Sequence, residues 1–360
     1  MVIAVGCSSG PRRNLAHVPD WVSEDTASAP VGPWPVPSPE PAPALAPPAV
    51  VAPGNQFTEI WIPLERWCKI NRLPAPSRLA VAPLPTYALN TASGVLTLSA
   101  CSRSAHWDGL ELRLGFAPQS IDGQPFVHAL DLKKTIQPLL AEGQFIPPDT
   151  TLQSRRQTGP GPILVIDPGH GGEDAGAKSV LANRYEKEFT LDWARRVKSL
   201  LETNGWQVFL TRATDVELSL SNRVAFAEER KASLFLSLHF NSAPANASEA
   251  GLETYCLTPA GMLSSVTRGF GDDPGLVFPN NAFDAQNLQF AFRIHRALLQ
   301  VNGHRDRGVR RARFLGVLRG QQRPAILVEG GYLSNPREAQ LISEAGYRQK
   351  LAEAVARALE

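Results

Sequence analysis

A chain of 360 residues is long for one domain and comfortable for two, and 43% apolar with 19% charged residues is a globular composition, not a disordered one. A formal net charge of +2 gives no footing for nucleic-acid binding. No apolar run approaches the roughly 18 residues of a membrane span, and four cysteines without a CxxC pair argue against a zinc–sulfur site. In chain order, residues 1–10 (MVIAVGCSSG) resemble the tail of a lipoprotein signal, with a small residue before Cys7 and Ser8-Ser9 after it. The basic start is missing and the apolar run is short, so Cys7 reads either as a lipidation site or as an exposed thiol at a disordered start. Residues 28–53 are rich in proline and alanine, a composition that favours extended polyproline geometry and would reach roughly 80 Å.

From 56 to 144 the pattern predicts a small α+β domain. A strand over 58–63 leads into a helix over 64–70. Strands follow over 87–90, 94–99 and 110–114, then a turn at 120–125 and a helix over 130–140. Cys68 and Cys101 both fall here, where either a disulfide or two buried free thiols fits. His106 and His128 read as surface or packing residues. The proline-rich stretch 145–160 is a second linker. From 161 onward strands and helices alternate: strands near 163–168, 207–210, 233–239, 251–257, 314–318 and 325–329, and helices over 189–201, 221–231, 287–301 and 345–359. That alternation predicts an α/β domain, a mostly parallel twisted sheet with helices on both faces. Cys256 reads as core, and His295 and His304 as surface or helix-end residues.

Three of these strands end on chemistry. The run 163–166 leads through Asp-Pro-Gly to His170, 234–238 ends at His239, and 325–328 ends at Glu329. Polar residues at the C-terminal ends of strands mark the edge of an α/β sheet where sites are built. Two imidazoles and a carboxylate suit a catalytic zinc with an open position, and a further carboxylate suits a general base. A lone buried carboxylate such as Glu329 needs a partner.

The segments 163–177 (ILVIDPGHGGEDAGA), 185–191 (YEKEFTL), 235–243 (FLSLHFNSA) and 325–336 (AILVEGGYLSNP) resemble, in order, the zinc-dependent N-acetylmuramoyl-L-alanine amidases. The resemblance implies one Zn2+ held by His170, Glu186 and His239, with Glu329 as the catalytic carboxylate. It implies cleavage of the amide between N-acetylmuramic acid and the first L-alanine of the peptidoglycan stem. Glu186 rests on the resemblance, since by itself it is an ordinary first-turn glutamate with Glu188 as its competitor. Arg212 and Arg223 match family positions and read either as substrate contacts or as structural ion pairs. Asn241 and Tyr332 are candidates for orienting the substrate. Regulated family members carry an inserted helix that blocks the metal. The corresponding stretch here, 258–286, has no Glu and is rich in Gly, Pro and Asn, which predicts a mobile lid instead of a plug. The layout of 56–144 is similar to the small repeat named for the N-terminal domain of copper amine oxidase, which implies an accessory or wall-binding role.

The expected partners are peptidoglycan and, through Cys7, a membrane tether, with room for an activator protein. The expected location is the bacterial cell envelope, periplasmic or membrane-anchored. A zinc carboxypeptidase acting within the stem peptide and a non-catalytic wall-binding protein are the alternative readings.

Overall fold

The computed structural model describes residues 60–141 and 161–360, apart from 182, 268–271, 302 and 304. Cys7, the proline-rich tract, the 145–160 linker and His304 lie outside the described residues. The N-terminal region holds β1 (Trp61–Pro63), α1 (Leu64–Ile70), β2 (Ser77–Ala80), β3 (Thr86–Thr91), β4 (Gly94–Ser99), β5 (Ser104–Trp107), β6 (Leu110–Arg113), β7 (Gln119–Ile121) and β8 (Gln124–His128). It closes with α2 (Ala129–Asp131), a π-helical turn (Leu132–Ile136) and α3 (Gln137–Leu140). The C-terminal region holds β9 (Ile163–Pro168), α4 (Glu186–Thr203), β10 (Gln207–Leu210), α5 (Leu220–Glu229), β11 (Leu234–Asn241) and β12 (Leu252–Leu257). It continues with α6 (Asp284–Leu299), β13 (Asp306–Ala312), α7 (Gly316–Arg319), β14 (Ala325–Tyr332), α8 (Pro336–Ser343) and α9 (Ala345–Leu359).

Strand periodicity sorts the side chains. On β9, β11 and β14, residues such as Leu164, Ile166, Leu236, Leu238, Ile326 and Val328 face a core shared with α4, α6 and α9. Val165, Phe235 and Leu327 face a second core under α5 and α7. Helices therefore cover both faces, as the alternation of elements requires. By the same period of two, Asp167, Ser237, His239 and Glu329 share the face of this second core.

The strand order is β10-β9-β11-β14-β12-β13-β6-β5-β4-β3-β2, one sheet of 11 strands through both regions. β10, β9, β11 and β14 are parallel, β12 runs antiparallel to β14, and β13 is parallel to β12. The join is at β13 and β6, parallel with Val309 opposite Leu112. Side chains fasten it. Asp306 accepts from the Glu111 N–H (2.8 Å), and buried Arg311 donates to Thr135 Oγ1 and Lys134 O, both 2.7 Å. Lys134 pairs with Asp284 at 2.9 Å.

Several expectations are corrected. The predicted strand over 314–318 is irregular chain leading into α7. The strand is β13, whose sequence DRGVRRA hides it because its arginines find ion-pair or hydrogen-bond partners on neighbouring elements. Cys68 is a buried free thiol and does not pair with Cys101. His295 is fully buried, its ring between Thr254 Oγ1 (3.0 Å) and Asp306 Oδ1 (2.9 Å), and is no surface residue.

The lid expectation fails on topology. Because β12 is antiparallel to β14, the chain leaves Leu257 at the edge where β14 begins, opposite the edge that carries Glu329. The segment that follows is pinned there. Asp272 accepts from Ser264 and pairs with Arg313 at 2.6 Å, and Arg313 also binds the carbonyls of Pro259 and Met262. Both partners are nearly buried, so Asp272→Ala leaves a buried guanidinium uncompensated and is expected to cost about 3–5 kcal/mol. Denaturant melts should show that loss, with kcat of the folded protein unchanged. A reduced kcat at full occupancy of the fold would contradict the placement of this segment. Among the described residues no helix is long and apolar enough to cross a membrane.

Candidate metal centre

Where β9 ends, Pro168-Gly169-His170 turns out of the sheet. His170 adopts φ 62°, a left-handed conformation that a non-glycine residue holds only when its surroundings enforce it. Gly169 is required by close approach, since a Cβ there would lie 2.1 Å from the His239 ring. Gly176 is required twice over. Its φ is +66°, and a Cβ would meet His170 Cδ2 at 2.6 Å and Glu186 at 2.8 Å.

Glu186 opens α4 and points inward. Its Oε2 accepts from the Ala177 N–H and its Oε1 from the Phe240 N–H, both 3.0 Å. Glu188 caps the same helix end, accepting from the Tyr185 N–H and from Arg184, and stays half-exposed. Of the two glutamates it is Glu186 that faces the imidazoles of His170 and His239. His239 sits at an irregularity in the β11–β14 register. Its Nδ1 is 3.0 Å from Glu186 Oε1, and His170 Nε2 is 3.1 Å from Glu186 Oε2. One donor atom from each of His170, Glu186 and His239 lies within 4.8 Å of the others, and all three residues are buried.

Electrostatics follow from that crowding. Burial alone would raise the Glu186 carboxyl, but the two adjacent imidazoles hold it well below the usual carboxylate range. For His170, burial works against protonation. Glu186 and Asp174 outweigh it and push the imidazole up to about 9. For His239 burial dominates and lowers the value. Glu329, across from His239 in the β11–β14 register, is raised well above its ordinary value by burial, then by Glu186 and Glu253. Its Oε2 is buried without a hydrogen-bond partner among the described residues.

Two residues of this centre were not singled out from sequence. Asp174 holds His170 Nδ1 at 2.8 Å, the carboxylate–imidazole contact that orients a ligand histidine and frees its other nitrogen. Its signal was a carboxylate four positions after His170 in a glycine-rich loop, with Glu173 as an equal candidate. Glu253 lies directly across from Glu329 on β12, held by Asn241 Nδ2 (3.0 Å), the Tyr255 hydroxyl (2.9 Å) and Arg307 Nε (2.9 Å). Its signal was one charge inside an apolar strand.

The remaining candidates are framework. Arg212 is 2% exposed, with its guanidinium on the carbonyls of Pro168, Gly169, Lys187 and Thr214, so it is no substrate contact in this structure. Arg223 forms the buried ion pair of the alternative reading, with Asp167 at 2.8 Å. Asn241 is buried, donating to Glu253 and accepting from the Ser242 N–H. Tyr332 is 2% exposed beneath the Arg307 guanidinium and is not an open groove wall.

The three residues fit a divalent cation. They supply two nitrogens and one carboxylate in a buried cluster, and Asp174 fixes the His170 tautomer.

A profile of the N-acetylmuramoyl-L-alanine amidase family matches residues 164–360. The chain is 35% identical to the N-acetylmuramoyl-L-alanine amidase AmiC of Neisseria meningitidis serogroup B, over 58% of this chain and 54% of that protein. It is 30% identical to AmiC of Escherichia coli O6:H1, over 54% of this chain and 51% of that protein. The chain thus spans about half the length of these curated relatives. Among solved structures, the catalytic domain of CwlV, an N-acetylmuramoyl-L-alanine amidase from Bacillus (Paenibacillus) polymyxa var. colistinus, is 32% identical. It covers 55% of this chain and 96% of that one, with a TM-score of 0.45. With its profile match extending over more than half of the residues, the chain belongs to the N-acetylmuramoyl-L-alanine amidase family.

Proposed function

We propose that the protein hydrolyses peptidoglycan at the amide between N-acetylmuramic acid and the first L-alanine of the stem peptide. The observation that carries this reading is the buried convergence of His170, Glu186 and His239 beside the unpartnered carboxylate oxygen of Glu329. His170, Glu186 and His239 would hold one zinc ion, which supplies Lewis acidity and lowers the pKa of water at that point. Asp174 keeps the His170 ring in the orientation that binding needs. Glu329 acts as general base toward the attacking water and then returns the proton to the departing L-alanine nitrogen. Burial, then Glu186 and Glu253, raise its proton affinity, and a cation held nearby would favour the carboxylate it needs. Such a substrate places the protein in the cell envelope or outside the cell. A lipid tether at Cys7 and an activator partner belong to the proposal on sequence grounds alone.

The test is incubation of the full chain with defined muropeptides and mass identification of the products. Release of intact stem peptide with a free L-alanine amino group is expected. A chelator should reduce it to background and added zinc should restore it. Cleavage elsewhere in the stem would replace the substrate assignment with the carboxypeptidase reading. Inertness of zinc-loaded protein would point to a missing activator or to the non-catalytic wall-binding reading.

A further inference from the structure

Five donors converge on three consecutive carbonyls where the chain leaves β9. The Pro168 oxygen accepts from Arg212 Nε (3.0 Å) and Arg223 Nη1 (2.9 Å). The Gly169 oxygen accepts from Arg212 Nη2 (2.8 Å) and Thr190 Oγ1 (2.9 Å). The His170 oxygen accepts from Arg223 Nη2 at 3.0 Å. Both arginines are at most 3% exposed. Arg223 is anchored by Asp167, which also accepts from Thr211 (2.6 Å) and Ser237 (2.8 Å). Arg212 has no carboxylate within ion-pair distance among the described residues. Its own burial, then the neighbouring Arg223, lowers its pKa to about 10.

A buried cation whose partners are carbonyls and one hydroxyl, with no carboxylate, is unfavourable by itself. What guanidinium offers here is a rigid fork of directed N–H donors, which an ammonium group cannot reproduce. One of those contacts falls on the His170 carbonyl and four on the two residues just before it, where the backbone enters a left-handed turn. His170 is at φ 62°, and Gly171 and Gly172 follow at 134° and 62°. Released from these contacts, His170 would relax toward ordinary backbone geometry and swing its ring away from Glu186 and His239.

We propose that Arg212 and Arg223 are positioning residues, whose guanidinium forks clamp the Pro168, Gly169 and His170 carbonyls and so hold the His170 imidazole where a metal ion needs it. The proposal rests on the zinc reading above, and its test does not depend on amidase activity. Arg212→Lys and Arg223→Lys keep the charge and lose the fork. Thr190→Val removes the hydroxyl that donates to the Gly169 carbonyl (2.9 Å) and accepts from Arg212 Nη2 (3.1 Å), and leaves both guanidinium groups in place. In the full chain, zinc affinity measured against a competing chelator should weaken about 10–100-fold in the lysine variants and by a smaller factor in Thr190→Val. The visible bands of the cobalt-substituted protein should change, while circular dichroism of the metal-free protein does not. Wild-type affinity and an unaltered cobalt spectrum in folded lysine variants would overturn the clamp. Should both lysine variants fail to fold, Thr190→Val decides alone, and wild-type affinity there would also overturn it. A wild-type chain that takes up no zinc would instead sink the metal reading itself.

Discussion

Glu329→Gln should lower kcat on a muropeptide about 10²–10⁴-fold, the usual consequence of losing a general base, and leave zinc stoichiometry at one. Glutamine preserves shape, so the effect is chemical and not steric. The side chain ends an apolar strand, is buried, and has one oxygen without a partner in a cluster that already contains Glu186 and Glu253. A carboxylate so placed has no structural bond to lose through this oxygen. Loss of turnover without loss of stability is therefore the expected pattern. Metal analysis together with single-turnover kinetics separates the roles. A variant that retains wild-type kcat would remove Glu329 from the chemistry, and one that loses zinc would make it a ligand.

The second large effect is expected on dividing the chain. A fragment comprising 161–360 contains the family match but loses β6, which covers the edge of β13. It also loses the partners of Arg311, Asp284 and Gln289, and the Arg103 donor to Leu263 and Ser264. Leu132, Ile136 and Leu139 belong to the same apolar cluster as Phe290 and Ile294. Uncovering even two or three such side chains, at about 1.5–3 kcal/mol each, amounts to roughly 5 kcal/mol. For a fragment of this size that is about 10–20 °C in Tm. An uncovered strand edge adds a tendency to associate. Calorimetry and light scattering on the fragment test this directly. A monomeric fragment with the Tm of the full chain would show the N-terminal region to be thermodynamically independent.

How much of this was legible in the sequence depends on range. His170, His239 and Glu329 stood out because each interrupts an apolar run at a strand end, a local pattern. α1 and α9 were read to the residue, since their periodicity is local too. Glu186 could not be separated from Glu188 by pattern, because their difference is which one turns toward His239, 53 residues further along the chain. β13 was invisible because its charges are satisfied by Glu253, Glu249, Thr135 and the Lys134 carbonyl, partners far along the chain. The misplaced lid shares that origin. Periodicity reports that 252–257 is a strand but carries no sign for its direction, and direction alone decides which edge the next segment occupies. Asp174 and Glu253 were missed for the same reason, as support for a ligand or a base is defined in space.

The uninterrupted ladder from β10 to β2 also governs aim. With β6 hydrogen-bonded to β13, strands β2 to β6 of the N-terminal region continue the sheet whose other half carries the His170 loop. On the proposed function, these N-terminal strands would constrain the direction from which a glycan strand approaches, much as a fixed jig sets the angle of a blade.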